Sequence, residues 1–119
     1  MVINLCRDEP VSGWFPYPFR EVRYSIGDGR LRDVNLDHLH RIAAEAADHI
    51  RVGGRVLSHC QMGWNRSGLV SGLIMLELGF EGDVVEHIRQ LRSPSALCNL
   101  EFANYLRAQQ ERVVAGTRS

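Results

Sequence analysis

The sequence predicts an α/β fold: a small, mostly parallel central sheet flanked by helices, in one domain spanning residues 1–119. Three observations lead there. Short apolar or alternating runs at Met1–Leu5, Glu21–Ile26 and Arg55–His59 have strand character. Longer stretches of helical periodicity are interleaved with them, joined by short connections. At 119 residues and 45% hydrophobic content, the chain suffices for one core.

Met1–Leu5 (Met-Val-Ile-Asn-Leu) reads as a short buried strand that ends at Cys6. From Arg7 to Arg20 the pattern is irregular, because Pro10, Gly13, Pro16 and Pro18 interrupt it. Glu21–Ile26 alternates Val22, Tyr24 and Ile26 with polar residues, as a half-buried strand does, and Gly27-Asp28-Gly29 then forms a turn or loop. Asn35 is placed to cap a helix reaching about Val52, with Leu36, Leu39, Ile42, Ala43, Ala46 and Ile50 on one stripe and Gly53-Gly54 ending it. Arg55–His59 is the next strand. Arg66–Leu78 is apolar nearly all round, so it should be the buried central helix, stopped by Gly79. Asp83–Leu91 is amphipathic, and Asn99 caps a last helix carrying Leu100, Phe102, Ala103 and Leu106. Residues 114–119 should fray.

Composition excludes several classes of function. The 14 basic and 14 acidic residues balance, which argues against a broad cationic face for nucleic acid or anionic membrane. All 14 basic residues are arginine, a bias read as genome composition. No apolar stretch approaches 18 residues and no signal segment opens the chain, so a cytoplasmic location is expected. The three cysteines, Cys6, Cys60 and Cys98, have neither metal spacing nor an even count for a disulfide framework. His38 and His40, two apart on a helix, point to different faces. No metal and no cofactor is expected, and Cys98 is expected in the core.

The chemistry is concentrated in His59-Cys60-Gln61-Met62-Gly63-Trp64-Asn65-Arg66-Ser67-Gly68. An apolar strand leads in and a helix leads out, with a glycine-bearing turn between. Free loop N–H groups and a helix N-terminus favour negative charge, so they lower a thiol pKa and bind an oxyanion in one place. A thiol with its usual pKa of about 8.5 is only a few per cent ionised at neutral pH; poising it as a thiolate takes about 4 kcal/mol of preferential stabilisation. Loop amides, the helix terminus and Arg66 can supply that together. Arg66 offers a planar fork that matches two phosphate oxygens, and a cation at the positive end of a helix is badly placed without an anion. The chemistry implied is attack of the Cys60 thiolate on a phosphate ester. The alternative is a core cysteine at a strand end before an ordinary helix.

This segment resembles the active-site signature of the cysteine-dependent protein-tyrosine and dual-specificity phosphatases, His-Cys-x5-Arg-Ser/Thr, with matches at His59, Cys60, Gly63, Arg66 and Ser67. The resemblance starts at the Val-Ile-Asn-Leu strand and covers nearly all 119 residues. It implies a phosphatase fold of minimal form, lacking the strand and helix that usually lead in, and so a sheet with an exposed edge and a monomer or weak homodimer. It further implies Cys60 as nucleophile and Arg66 as phosphate holder. Gln61, Met62, Gly63, Trp64 and Asn65 would complete the phosphate loop, and His59 would support it by hydrogen bonding. Ser67 would donate to the sulfur as it departs, or cap the helix, or both. Arg92-Ser93-Pro94, then Asn99 with Phe102 and Leu106, is similar to the family's closing segment, so Asn99 should both cap its helix and lie near the loop.

A leaving oxygen needs a proton. Asp28, in its glycine-flanked loop after a strand, resembles the family's general acid; Asp33 is the rival and could instead be a helix-proximal cap. Cys6 ends a strand parallel to the one that feeds Cys60, so a reversible Cys6–Cys60 disulfide protecting the thiolate is one reading and a buried inert thiol the other. Trp14, Phe15, Tyr17 and Phe19 would either grip a phosphotyrosine ring or cover exposed core. The leading expectation is a phosphoprotein phosphatase for phosphotyrosine, with phosphoserine and phosphothreonine as further substrates. Gly63-x-Asn65-Arg66-Ser67-Gly68 also looks like the turn of the RNA 5′-triphosphatase branch, which leaves an RNA 5′-phosphatase as an alternative. A phosphate-reading pseudo-enzyme is the non-catalytic alternative, although such modules usually lose the cysteine, arginine or acid.

Overall fold

A three-stranded parallel sheet forms the centre, with its strands in the order β2-β1-β3. The computed structural model describes residues 1–5, 20–24, 30–59 and 65–118, with the side chains of 59 and 114–118 outside that description. Strand β1 (Val2–Asn4) lies between β2 (Glu21–Arg23) and β3 (Leu57–His59). All three residues of β1 are buried, as a central parallel strand covered on both faces requires. The register sets Asn4 against Arg23 on one side and His59 on the other, so the carboxyl ends of all three strands are level.

Helix α1 (Leu36–Arg51) begins as the sequence predicts: the Asn35 side chain accepts a hydrogen bond from His38 N at 3.1 Å. Its buried face is Leu39, Ile42, Ala43, Ala46 and Ala47. It ends in a Schellman turn, with Gly53 at φ 93°, Gly53 N donating to Ile50 O and Gly54 N to His49 O. Gly79 (φ 84°) ends α2 (Asn65–Glu77) in the same way, through Gly79 N to Leu76 O and Phe80 N to Met75 O. Helix α2 is the expected central helix: Leu69, Val70, Leu73, Ile74 and Leu76 are buried, and it packs against α1, α3 (Val84–Leu91) and α4 (Leu100–Arg118). Asp83 caps α3 by accepting from Glu86 N at 3.1 Å. His38 and His40 do face differently, the first edge-on to the Tyr24 ring and the second bonded to Tyr105.

Two expectations fail. Cys98 is exposed rather than in the core. Ala96 and Leu97 occupy the core instead, both fully buried, and Leu97 adopts a left-handed backbone (φ 57°) that turns the next residue outward. The Arg89 guanidinium holds this turn by donating to Ala96 O and Leu97 O, each at 3.0 Å. At the carboxyl end, α4 continues to Arg118 where fraying is expected, although among its described side chains the last in the buried core is Leu106. Polar side chains beyond Leu106 tie the helix to the start of α3: Gln110 Oε1 accepts from Val84 N at 3.1 Å, its Nε2 donates to Gly82 O, and Arg107 lies 3.9 Å from the Asp83 carboxylate.

Candidate active site

Because the three strands are parallel and level, the chain leaves all of them at one edge of the sheet. Binding sites of parallel α/β sheets form at that carboxyl edge. From β1 the chain runs on to Cys6, from β2 to Asp28, and from β3 to Cys60. Cys6, Asp28, Cys60, Gln61, Met62, Gly63 and Trp64 lie outside the described residues, as do the aromatic residues 14–19 and the side chain of His59. The described part of the site is therefore its scaffold and its arginine-bearing helix.

Five residues separate the end of β3 from the start of α2. The two elements are fastened directly by Ser58, whose Oγ donates to Ser67 O at 3.3 Å and shares a 2.8 Å bond with Ser71 Oγ. Ser58 is 7% exposed, a buried hydroxyl whose partners all lie on α2. This bond pair fixes the strand end against the first turns of the helix, so both ends of the intervening loop are set by packed structure.

Arg66 and Ser67 are the second and third residues of α2, where N–H groups still lack intrahelical partners and the dipole is positive. Arg66 is half-buried, with its Nε atom fully enclosed, and Ser67 is buried at 2% exposure. A guanidinium lodged there raises the local positive potential further and suits an oxyanion.

Asn65 opens the helix, and its side chain is buried. Its Oδ1 accepts from Asn99 N at 3.0 Å and its Nδ2 donates to Cys98 Sγ at 3.4 Å. Asn65 thus joins the loop's end to the α3–α4 connection, a role that the motif alone does not reveal. Asn99 also caps α4, its Oδ1 accepting from Glu101 N at 3.1 Å and Phe102 N at 3.4 Å. Asn99 therefore lies beside the start of α2 as well as at the head of α4.

The segment after β2 is tied at its base. Tyr24 OH accepts from Asn35 N at 2.8 Å, and Val34 is buried. Asp33 is exposed and ends a 3-10 turn, Leu31–Asp33, while the α1 cap is Asn35. Leu31 N donates to Glu101 Oε1 on α4 at 3.3 Å. Ser58, Tyr24 and Glu101 were not legible as site residues, because each acts through a partner distant in sequence. Among the described residues no cluster of metal-ligating side chains occurs, and no helix is long and apolar enough to cross a membrane.

Solved structures share this arrangement. Human DUSP28 superposes with a TM-score of 0.74 at 22% identity, covering 97% of this chain and 79% of that one. The chain has the fold of the dual-specificity and protein-tyrosine phosphatases. A mouse putative dual specificity phosphatase, complexed with zinc tungstate, matches with a TM-score of 0.72 at 23% identity, over 98% of this chain and 72% of that one. Tk-PTP in its active form gives 0.70 at 23%, over 93% and 78%. No family model and no curated protein matches the chain. Nearly the whole chain is thus phosphatase fold, and it spans between 72% and 79% of the length of these three neighbours.

Proposed function

We propose that this chain is a phosphoprotein phosphatase that hydrolyses phosphotyrosine monoesters, and phosphoserine and phosphothreonine monoesters as well, through a cysteinyl-phosphate. The observation that carries the reading is the placement of Arg66 and Ser67 on the first turn of α2, at the carboxyl edge of a parallel sheet in a phosphatase fold. The Cys-x5-Arg spacing joins that turn to β3.

In the reaction, the Cys60 thiolate attacks phosphorus; the S–P bond forms as the bond to the leaving oxygen breaks. Asp28 gives its proton to that oxygen. Arg66 binds two of the equatorial phosphoryl oxygens and stabilises their charge in the transition state. Water then attacks phosphorus, passing a proton to the Asp28 carboxylate. The S–P bond breaks, the Ser67 hydroxyl donates to the departing sulfur, and inorganic phosphate leaves. A nucleophilic thiolate is best kept in a reducing compartment, which favours the cytoplasm.

The RNA 5′-phosphatase reading rests on Asn65 before Arg66. Here the Asn65 amide is engaged by Asn99 and Cys98, which accounts for asparagine at that position without an RNA substrate. Initial rates on a phosphotyrosine peptide, phosphoserine and phosphothreonine peptides and 5′-triphosphorylated RNA test the proposal, with Cys60→Ser as control. Turnover of the phosphotyrosine peptide, lost in Cys60→Ser, is the expected result. Preferential release of γ-phosphate from RNA would transfer the assignment to the alternative, and phosphopeptide binding without turnover would make the protein a pseudo-enzyme.

A further inference from the structure

Arg66 sits between two residues that are tied to different parts of the fold. Ahead of it, the Asn65 carboxamide accepts from Asn99 N at 3.0 Å and donates to Cys98 Sγ at 3.4 Å, both in the α3–α4 connection. Behind it, Ser67 O accepts from Ser58 Oγ on β3 at 3.3 Å. A Cβ added at the next residue, Gly68, would stand 3.0 Å from Leu97 Cγ and 3.1 Å from its Cδ2, so the first turn of α2 packs closely on the same connection. That connection is itself firmly held. Ala96 and Leu97 are fully buried, Arg89 donates to both their carbonyls, and the Asn99 side chain caps α4.

We infer that Asn65 is a positioning residue for Arg66: its carboxamide locks the first turn of α2 to the α3–α4 connection and so fixes the backbone from which the guanidinium extends. The inference rests on the phosphatase reading and goes beyond it by naming what holds the phosphate-binding arginine in place. A helix start needs such a tie, because its first N–H groups have no partner within the helix and helix ends fray. The tie reaches the guanidinium because Arg66 is half-buried with Nε fully enclosed, so the fork moves with its turn rather than swinging on an exposed stem. A planar fork is sensitive to that motion, since productive geometry must hold to within about 0.5 Å and about 10–20°. The simpler role for the buried Asn65 side chain is to close the α3–α4 connection, a matter of stability alone, and the test must separate the two.

The experiment is a double-mutant cycle read in kcat/KM for p-nitrophenyl phosphate, with thermal stability measured in parallel and every assay run well below the lowest Tm. Its four proteins are the wild type, Asn65→Ala, Arg66→Lys and the double variant. Arg66→Lys keeps the charge but lacks the fork that Asn65 is inferred to hold. Asn65→Ala should lower kcat/KM about three- to tenfold in the wild-type background, the weight of one lost hydrogen bond, and less than about twofold in the Arg66→Lys background. Equal fold-losses in the two backgrounds overturn the inference, because Asn65 would then act on something other than the fork. A lower Tm with unchanged kcat/KM also overturns it and leaves Asn65 a structural tie. Should Asn65→Ala fail to fold, Asn65→Ser carries the same cycle, since one short hydroxyl cannot serve both Asn99 N and Cys98 Sγ. The phosphatase reading survives either of these refutations. No turnover by the wild type would refute that reading itself, and the inference with it.

Discussion

Gly72 lies on the face of α2 that meets α4, and a methyl group added there would have nowhere to go. A Cβ at Gly72 would stand 2.7 Å from Leu106 Cδ1, 2.8 Å from Cδ2 and 3.3 Å from Cγ. Carbon atoms settle at about 3.5–4.0 Å, so either the helices must part or Leu106 must leave its rotamer. Leu106 is fully buried, so its side chain can yield only by repacking within the core. Overpacking of this kind costs about 1–3 kcal/mol, and the better helix propensity of alanine returns up to about 1 kcal/mol. Gly72→Ala should therefore lose about 1–2 kcal/mol. Unfolding entropy of about 2.1 cal/mol/K per residue makes 1 kcal/mol equal to about 4 °C in a chain of 119 residues, so Tm should fall by about 4–8 °C. Calorimetry measures this directly. A second comparison isolates the cause: with Leu106→Ala as well, the two losses should sum to less than expected by about 1 kcal/mol or more, since the shorter side chain makes room for the methyl. A Gly72→Ala protein as stable as the wild type, or strictly additive losses, would refute the argument from close helix contact.

The other predictions concern the chemistry and pH. Asp28→Ala should flatten the acidic-to-neutral pH optimum of kcat/KM and lower it about 10²- to 10⁴-fold, with Asp33→Ala much milder; equal effects would undo the choice of Asp28. Arg66→Lys keeps a positive charge but loses the fork, and should lower kcat/KM about 10²-fold with an unchanged far-ultraviolet circular dichroism spectrum. Burial holds the Tyr105 phenol above its usual value, opposed by the Arg112 charge and aided by Asp37. A proton held more tightly in the folded state contributes stability that is intact below the unfolded phenol pKa of about 10 and is lost as pH rises past it. Tyr105→Phe should therefore flatten the alkaline fall in urea midpoints, while also losing the 2.6 Å bond to His40 at neutral pH.

Local signals and tertiary ones divide cleanly in this chain. The Asn35 cap, the glycine stops at Gly53 and Gly79, and the apolar stripe of α1 all act within a few residues of themselves, so they are visible in a linear reading. The parallel pairing of β1 with β3 agrees with the same reading, since parallel neighbours need a long crossover and β2 and α1 lie between them. Cys98 shows where such reading stops. Its neighbours Ala96 and Leu97 are apolar and buried, and only the left-handed turn at Leu97, pinned by Arg89, decides that the cysteine faces out.

The sequence by itself determined the elements, the order of the chemistry along the chain and the phosphate-loop signature, because spacing and residue type are local properties. Only the tertiary structure decided what holds that chemistry in place: Ser58 against Ser67 and Ser71, and Asn65 against Asn99 and Cys98. It also joined Leu31 to Glu101, 70 positions apart in the chain. Hydrogen bonds formed across such separations carry no linear pattern, since each depends on two segments that come together only when the core packs.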